Sequence, residues 1–189
     1  MNIPLHPQVY PVEEDTFLLL GAALAELRPG DRVLEIGTGS GHIAASLLDR
    51  VVRMVAVDIN PHAAAAARAK GLEVVRTDLF AGIRGSFDLV LFNPPYLPTA
   101  PDERVDDWLE YALDGGSDGR QTIARFLNGL GTVLSQNGRA LLLVSSLTGV
   151  DEVCAMARDE GFEASVCLES LVEGERLLVL LLVRGEIDA

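Results

Sequence analysis

Lysine is almost missing: Lys70 is the only one in 189 residues, and arginine carries the rest of the positive charge. Cysteine is scarce as well, with Cys154 and Cys167 alone. They fall inside a predicted helix and a predicted strand, which reads as two free thiols rather than a disulfide, and two cysteines make no zinc site. The three histidines, His6, His42 and His62, have no spaced partners and read as surface or capping residues. No apolar run reaches the roughly 18 residues of a membrane span. The N-terminus lacks the basic, apolar and small-residue succession of a secretory signal. The expected location is the cytoplasm, away from any membrane. Positive charge is outnumbered, 15 Lys and Arg against 28 Asp and Glu, leaving a formal net charge of −13. Such a surface repels phosphate backbones and argues against a nucleic-acid substrate. Coding bias or salt adaptation accounts for the acidity without invoking a function.

What is present is apolar. At 49% hydrophobic residues, the chain suits one domain with a full core. Residues 1–189 are expected to form that single domain, with 1–12, which include Pro4, Pro7 and Pro11, as an extended arm. A helix follows, with Glu13, Glu14 and Asp15 in its first turn and Phe17, Leu20, Leu24 and Leu27 as its buried face. Strands are predicted over 32–36, 53–57, 73–76, 87–92, 139–145, 163–168 and 176–183. Helices are predicted over about 41–49, 61–69, 121–134 and 149–160. Asn60-Pro61 supplies an N-cap and a first-turn proline. Asp118 with Gln121 reads as a capping box, and Ile123, Phe126, Leu127, Leu130 and Leu134 as the apolar face that follows. Residues 97–116 form the longest irregular stretch, with a short helix expected near Val105 to Leu109, and are expected to form part of the substrate entrance. The short link at Glu173-Gly174-Glu175 forces the last two strands to be antiparallel. The pattern predicts an α/β doubly wound, seven-stranded, mostly parallel sheet ending in an antiparallel hairpin.

Two stretches carry chemistry. The first is Val33-Leu34-Glu35-Ile36-Gly37-Thr38-Gly39-Ser40-Gly41, a strand that breaks into a glycine-rich turn and then a helix. Such a turn lets backbone N–H groups approach a ligand that side chains would block. The third glycine, Gly41, comes one residue too early for the dinucleotide fingerprint G-x-G-x-x-G. Asp58 ends the second strand, where a carboxylate can accept bonds from two ribose hydroxyls. Asp78 ends the third, where it can accept from an adenine amine, with the Leu79 backbone beside it. All lie at the carboxyl ends of strands, where open sheets bind ligands. Taken singly, Asp58 and Asp78 read equally well as turn or cap residues.

The second stretch is Asn93-Pro94-Pro95-Tyr96, directly after the fourth strand. Asn93 Oδ1 and the Pro94 carbonyl can each accept one N–H of a planar NH₂ group. The two prolines stiffen the turn, and Tyr96 offers a flat wall. Holding a poor nitrogen nucleophile in one orientation lowers a barrier by about 7–11 kcal/mol in favourable cases.

Together the motifs resemble a class I S-adenosylmethionine (SAM) methyltransferase, a Rossmann-like fold, acting on an amide or amino nitrogen. Val9-Tyr10, Glu14 to Leu19 and Ala112 to Arg120 narrow the resemblance to the HemK-like release-factor glutamine N5-methyltransferases, in their short archaeal and eukaryotic branch. The resemblance implies methylation of the glutamine in the Gly-Gly-Gln loop of a translation termination factor. It implies that Thr16, Glu35, Gly37, Asp58, Asp78 and Leu79 contact SAM, with Gly39 and Gly41 completing the turn. It implies that Asn93, Pro94, Pro95 and Tyr96 hold the substrate amide. Pro11 stands one residue earlier than in many relatives, and the bacterial members' N-terminal helical domain has no counterpart. An N6-adenine DNA or RNA methyltransferase, a methyltransferase for another protein, and an inactive SAM-binding module are the alternatives. The third strand should be a sheet edge with Val74 and Val75 and no proline guard. Relatives in the short branch pair at this edge with a small zinc-binding activator, so such a partner is expected here.

Overall fold

Runs of Val, Leu and Ile bounded by Gly, Asp and Pro have the length and composition of strands covered on both faces. The computed structural model describes residues 5–99 and 107–185. Its strands are β1 (Arg32–Ile36), β2 (Arg53–Asp58), β3 (Glu73–Arg76), β4 (Phe87–Phe92), β5 (Leu134–Ser145), β6 (Phe162–Val172) and β7 (Glu175–Arg184). They form one sheet in the order β3-β2-β1-β4-β5-β7-β6. The first five are parallel, and β7 lies antiparallel between β5 and β6. The helices are α1 (Glu14–Glu26), α2 (His42–Leu47), α3 (Pro61–Ala69), α4 (Glu110–Leu113), α5 (Gln121–Leu130) and α6 (Val150–Asp159). This is the doubly wound sheet with a terminal hairpin that the pattern predicts.

Alternate residues of the strands feed opposite cores, as a period of two requires. Val33, Met54, Ala56, Leu89 and Leu91 pack with Leu19 of α1, Ile43 of α2 and Ala67 of α3. Leu34, Val55, Val57, Val90 and Phe92 pack on the other side with Ile123 and Phe126 of α5 and Val153 of α6. Asn60 caps α3 as expected, its side chain accepting from His62 N at 2.9 Å. No helix among the described residues is long and apolar enough to cross a membrane.

Several local expectations fail for identifiable reasons. The first helix turns a different face inward: Phe17 is 56% and Leu24 44% exposed, while Asp15, Leu19, Ala22 and Ala23 are buried. Its sequence is apolar all round, so periodicity alone does not choose a face, and the small alanines allow close approach to the sheet. Asp118 does not cap α5. Its Oδ1 accepts from Arg120 N at 3.0 Å, and Arg120 itself stands at the N-cap without a side-chain capping bond. Leu134 belongs to β5 rather than to the helix before it, because a bulge in the β4 pairing lets β5 begin early. The hairpin turn is tighter than expected: Glu173 and Gly174 alone turn the chain, with φ of 50° and 90°, as a two-residue primed turn demands. The short helix in the long connection is Glu110–Leu113; of the segment expected to hold it, Val105 and Asp106 lie outside the described residues.

At the amino ends of the parallel strands sits a charge cluster. Arg139 of β5 is only 2% exposed and pairs with Asp31, Nη2 to Oδ2, at 2.7 Å. It also donates to the carbonyls of Asp88, at 3.0 Å, and of Glu26. One guanidinium thus ties together the end of α1 and the starts of β1, β4 and β5. Replacing it leaves Asp31 buried without its countercharge. Arg139→Met is expected to cost about 3–5 kcal/mol in denaturant unfolding; a loss under about 1 kcal/mol would make the cluster incidental.

Candidate functional site

The cavity opens at the other pole, over the carboxyl ends of β1, β2 and β4. After β1 the chain turns sharply, with φ of +66° at Gly37 and +55° at Gly39. Two carboxylates hold this turn. Glu35 Oε2 accepts from Thr38 Oγ1 at 2.6 Å and from Ala44 N at 3.1 Å, so it clamps the turn onto the first residues of α2. Asp58, at the end of β2, accepts from Gly39 N at 2.8 Å on one oxygen and from Asn60 N at 2.8 Å on the other. Both acids are nearly buried. Burial pushes Glu35 up to about 7, against the pull of Thr38 and Ala44. Burial also raises Asp58, opposed by its backbone donors.

Asp78 follows β3 and is half-exposed, paired to Arg125 of α5 at 2.5 Å. Leu79 beside it adopts a left-handed φ of 46°, which turns the chain back toward the cavity.

Asn93 follows β4 directly. Its Nδ2 donates to Asp15 Oδ2 at 2.9 Å, while its Oδ1 is buried without a hydrogen-bond partner among the described residues. The loop after β5 and the segment after α4 hold the next residues in place from behind. Thr148 Oγ1 donates to Tyr96 O at 3.1 Å. A Cβ on Gly115 would stand 2.7 Å from Leu97 O, and one on Gly119 would collide with Tyr96 O. Only glycine permits that approach, which gives Ala112 to Arg120 a mechanical role. Tyr10 and Tyr96 face the same space. Burial foremost, then the charge of Asp15, raises both phenols, so they stay protonated.

Thr16, Glu35, Gly37, Gly39, Asp58, Asp78, Leu79 and Asn93 to Tyr96 all line this cavity. Gly41 stands apart. It points at α3, where a Cβ would lie 2.9 Å from Leu72 and 3.0 Å from Ala67. It is a helix-packing glycine, and the spacing of the motif does not distinguish that from ligand contact. Among the described residues, four carboxylates, Asp15, Glu35, Asp58 and Asp78, line the cavity against one arginine, so it favours a cationic ligand over a phosphate-bearing one.

Comparison with known proteins identifies the group. Residues 12–105 match the family model described as the methyltransferase small domain. Over 95% of its length the chain is 38% identical to a Methanocaldococcus jannaschii protein provisionally named as a protein N5-glutamine methyltransferase, 94% of which is covered. It is 35% identical to human methyltransferase HEMK2, with 91% of this chain and 88% of that protein aligned. The chain belongs to the HemK-like glutamine methyltransferases. Among solved structures it superposes with a TM-score of 0.79 on a chain of the E. cuniculi Mtq2–Trm112 complex, described as responsible for methylation of the eRF1 translation termination factor. That pair is 31% identical, covering 94% of this chain and 99% of the other.

In this methyltransferase, Trp108 and Tyr111 line the cavity from the 97–116 stretch expected at the substrate entrance, whereas Asp15, Tyr10 and Arg125 are cavity residues that sequence reasoning missed. Asp15 was read only as favourable first-turn charge, yet it is 3% exposed. Its signal was its place in the Glu14 to Leu19 signature. Arg125 joins the cavity from α5 through tertiary packing that no local pattern announces.

Glu35 makes stability depend on pH in a definite direction. Its folded-state value, about 7, lies above its ordinary 4.5, so between these values the native state holds a proton that the unfolded chain releases. Its contribution is complete below pH 4.5 and lost as pH rises through 7, a change of roughly 3 kcal/mol. Urea unfolding across that window should show a decline that Glu35→Gln flattens. Parallel profiles for the two proteins would remove the assignment.

Proposed function

We infer that this chain transfers the methyl group of SAM to the side-chain amide nitrogen of a glutamine, in the Gly-Gly-Gln loop of a translation termination factor. The observation that carries the reading is Asn93 Oδ1. It is a buried acceptor without a partner among the described residues, at the wall of a ligand-sized cavity. A buried oxygen of this kind costs about 1–3 kcal/mol if left unsatisfied, and a substrate N–H satisfies it.

The residues fit a cationic cofactor. Asp58 keeps free lone pairs for a ribose diol after its two backbone bonds. Asp78 and the Leu79 backbone suit the adenine edge. Glu35, Thr16, Gly37 and Gly39 shape the remainder. When bound, SAM supplies a methyl group on a positively charged sulfur, which needs no activation by the protein. What the chain does is orientation. Asn93 Oδ1 and the Pro94 carbonyl each take one N–H of the glutamine amide, Pro94 and Pro95 keep those acceptors fixed, and Tyr96 flanks the amide plane. The nitrogen lone pair then faces the methyl group. A net charge of −13 favours a protein over a polyanionic nucleic acid as the substrate. A termination factor as substrate places the reaction in the cytoplasm, and residues 1–189 serve as one catalytic domain with an arm over its cavity.

The test is mass spectrometry of a purified termination factor after incubation with this enzyme and SAM. The expected result is one added methyl group on the glutamine, absent with Asn93→Ala, whose SAM affinity stays close to wild type. Asp58→Ala should weaken SAM binding about tenfold or more, by the loss of a charged acceptor. No methyl on the glutamine, or loss of SAM binding in Asn93→Ala, overturns the reading.

The same reading includes a small zinc-binding activator subunit on the edge strand β3. Among the described residues, Glu73 to Arg76 pair with no strand but β2, which leaves a strand edge open to an added strand, although Arg68 Nη2 donates to the Val74 carbonyl at 3.1 Å. Val74 and Val75 are half-buried and pack toward opposite cores, so the edge is recognised through its backbone. The Mtq2–Trm112 assembly of the solved neighbour supports this. Co-expression with such a subunit should give a one-to-one complex by gel filtration and a faster enzyme; full activity of the chain alone would set the partner aside.

A further inference from the structure

The two ends of the Asn93 side chain have nearly the same shape but opposite hydrogen-bonding character. If the amide turns over, the acceptor in the cavity becomes a donor. Something must therefore fix its orientation. Nδ2 lies 2.9 Å from Asp15 Oδ2, and an ionised carboxylate can only accept. The NH₂ end is thereby drawn to Asp15, and Oδ1 is left facing the cavity.

Asp15 is itself held on both oxygens. Its Oδ1 accepts from Thr16 N at 2.6 Å and Thr16 Oγ1 at 3.2 Å. Its Oδ2 accepts from Tyr10 OH at 3.2 Å, and that hydroxyl also donates to Glu13 at 2.9 Å. The carboxylate is 3% exposed, so water does not compete for the bond to Asn93. The geometry points to Asp15 as a positioning residue that sets the amide of Asn93 with its oxygen toward the substrate. This rests on the reading of Asn93 as the acceptor for the glutamine amide. It gives the N-terminal end of α1 a role in the reaction beyond contact with the cofactor.

The contacts of Thr16 make the consequence of a conservative change definite. In Asp15→Asn, the backbone N–H of Thr16 still requires an acceptor and keeps the introduced amide oxygen on its side. The introduced NH₂ then stands where Oδ2 stood and opposes Asn93 Nδ2. Asn93 relieves the clash by turning over, which presents its own NH₂ to the substrate. The exchanged pair, Asp15→Asn with Asn93→Asp, restores the pattern: an amide donates to a carboxylate, whose other oxygen faces the cavity.

Two measurements test this. In kinetics with a termination factor, Asp15→Asn should lower kcat by about a hundredfold, with the KM for SAM and the melting temperature near wild type. The exchanged pair should recover at least about tenfold of that loss, which a merely structural role for Asp15 would not produce. An unaltered kcat in Asp15→Asn, or an exchanged pair no faster than either single variant, overturns the proposal. The second measurement needs no substrate. The side-chain NH₂ of Asn93, followed by ¹⁵N NMR, should exchange with solvent slowly in the wild-type protein and faster in Asp15→Asn. Fast exchange in the wild-type protein overturns the inference whether or not that protein methylates glutamine. Absence of methylation with slow exchange overturns the reading of the reaction and leaves the orientation of Asn93 standing.

Discussion

The pairing of β1 with β4 is the constraint on which the rest of the structure depends. These strands are neighbours in the sheet but separated in the chain by two other strands and three crossovers. At their junction the winding reverses: α1, α2 and α3 cover one face of the sheet, while α5 and α6 cover the other. The chain segments leaving β1 and β4 diverge, and a cleft opens between them without any side chain being removed to make it. The glycine-rich turn leaves on one side of that cleft and Asn93-Pro94-Pro95-Tyr96 on the other. Two motifs more than fifty residues apart in the chain thus meet because parallel strands share a direction.

The cleft concentrates buried carboxylates, which a fold normally avoids. Each of the three most buried is held by a specific set of donors. Glu35 takes a hydroxyl and a backbone N–H; Asp58 takes two backbone N–H groups; Asp15 takes a backbone N–H, two hydroxyls and an amide. Local structure supplies these donors: a tight turn, a helix start and a short arm. The acids therefore stay in place before a ligand arrives, which is preorganisation in the physical sense.

How much of this was legible in the sequence depends on the range of the interaction. Strands β1, β2 and β4 were readable because each is a short apolar run closed by Gly, Asp or Asn-Pro. The place of Asp58 and Asn93 at the cavity was readable because a residue just past a strand end has a fixed offset from the strand. The inward face of α1 was not, since Phe17 and Leu24 continue an apolar surface around the helix and only the packed sheet selects Leu19 and Ala22. Asp15 was visible as an acid at a helix start but not as a buried one. Its burial depends on Tyr10 from the arm and Asn93 from β4, contacts of quite different sequence separation. Gly41 packs against Ala67 and Leu72 instead of lining the cavity, and a packing glycine and a ligand-facing glycine look identical within one short motif.

The Arg139 cluster has a consequence for how such a chain can change. It fastens α1, β1, β4 and β5 at the amino pole, while the cavity and its loops occupy the carboxyl pole. A substitution in the loops therefore leaves the far fastening intact, and the sheet keeps its register while the rim is rewritten. The two ends of the strands answer to different demands, one to cohesion and the other to recognition. A lineage built on this plan can exchange one methyl acceptor for another without first having to rebuild the domain that holds it.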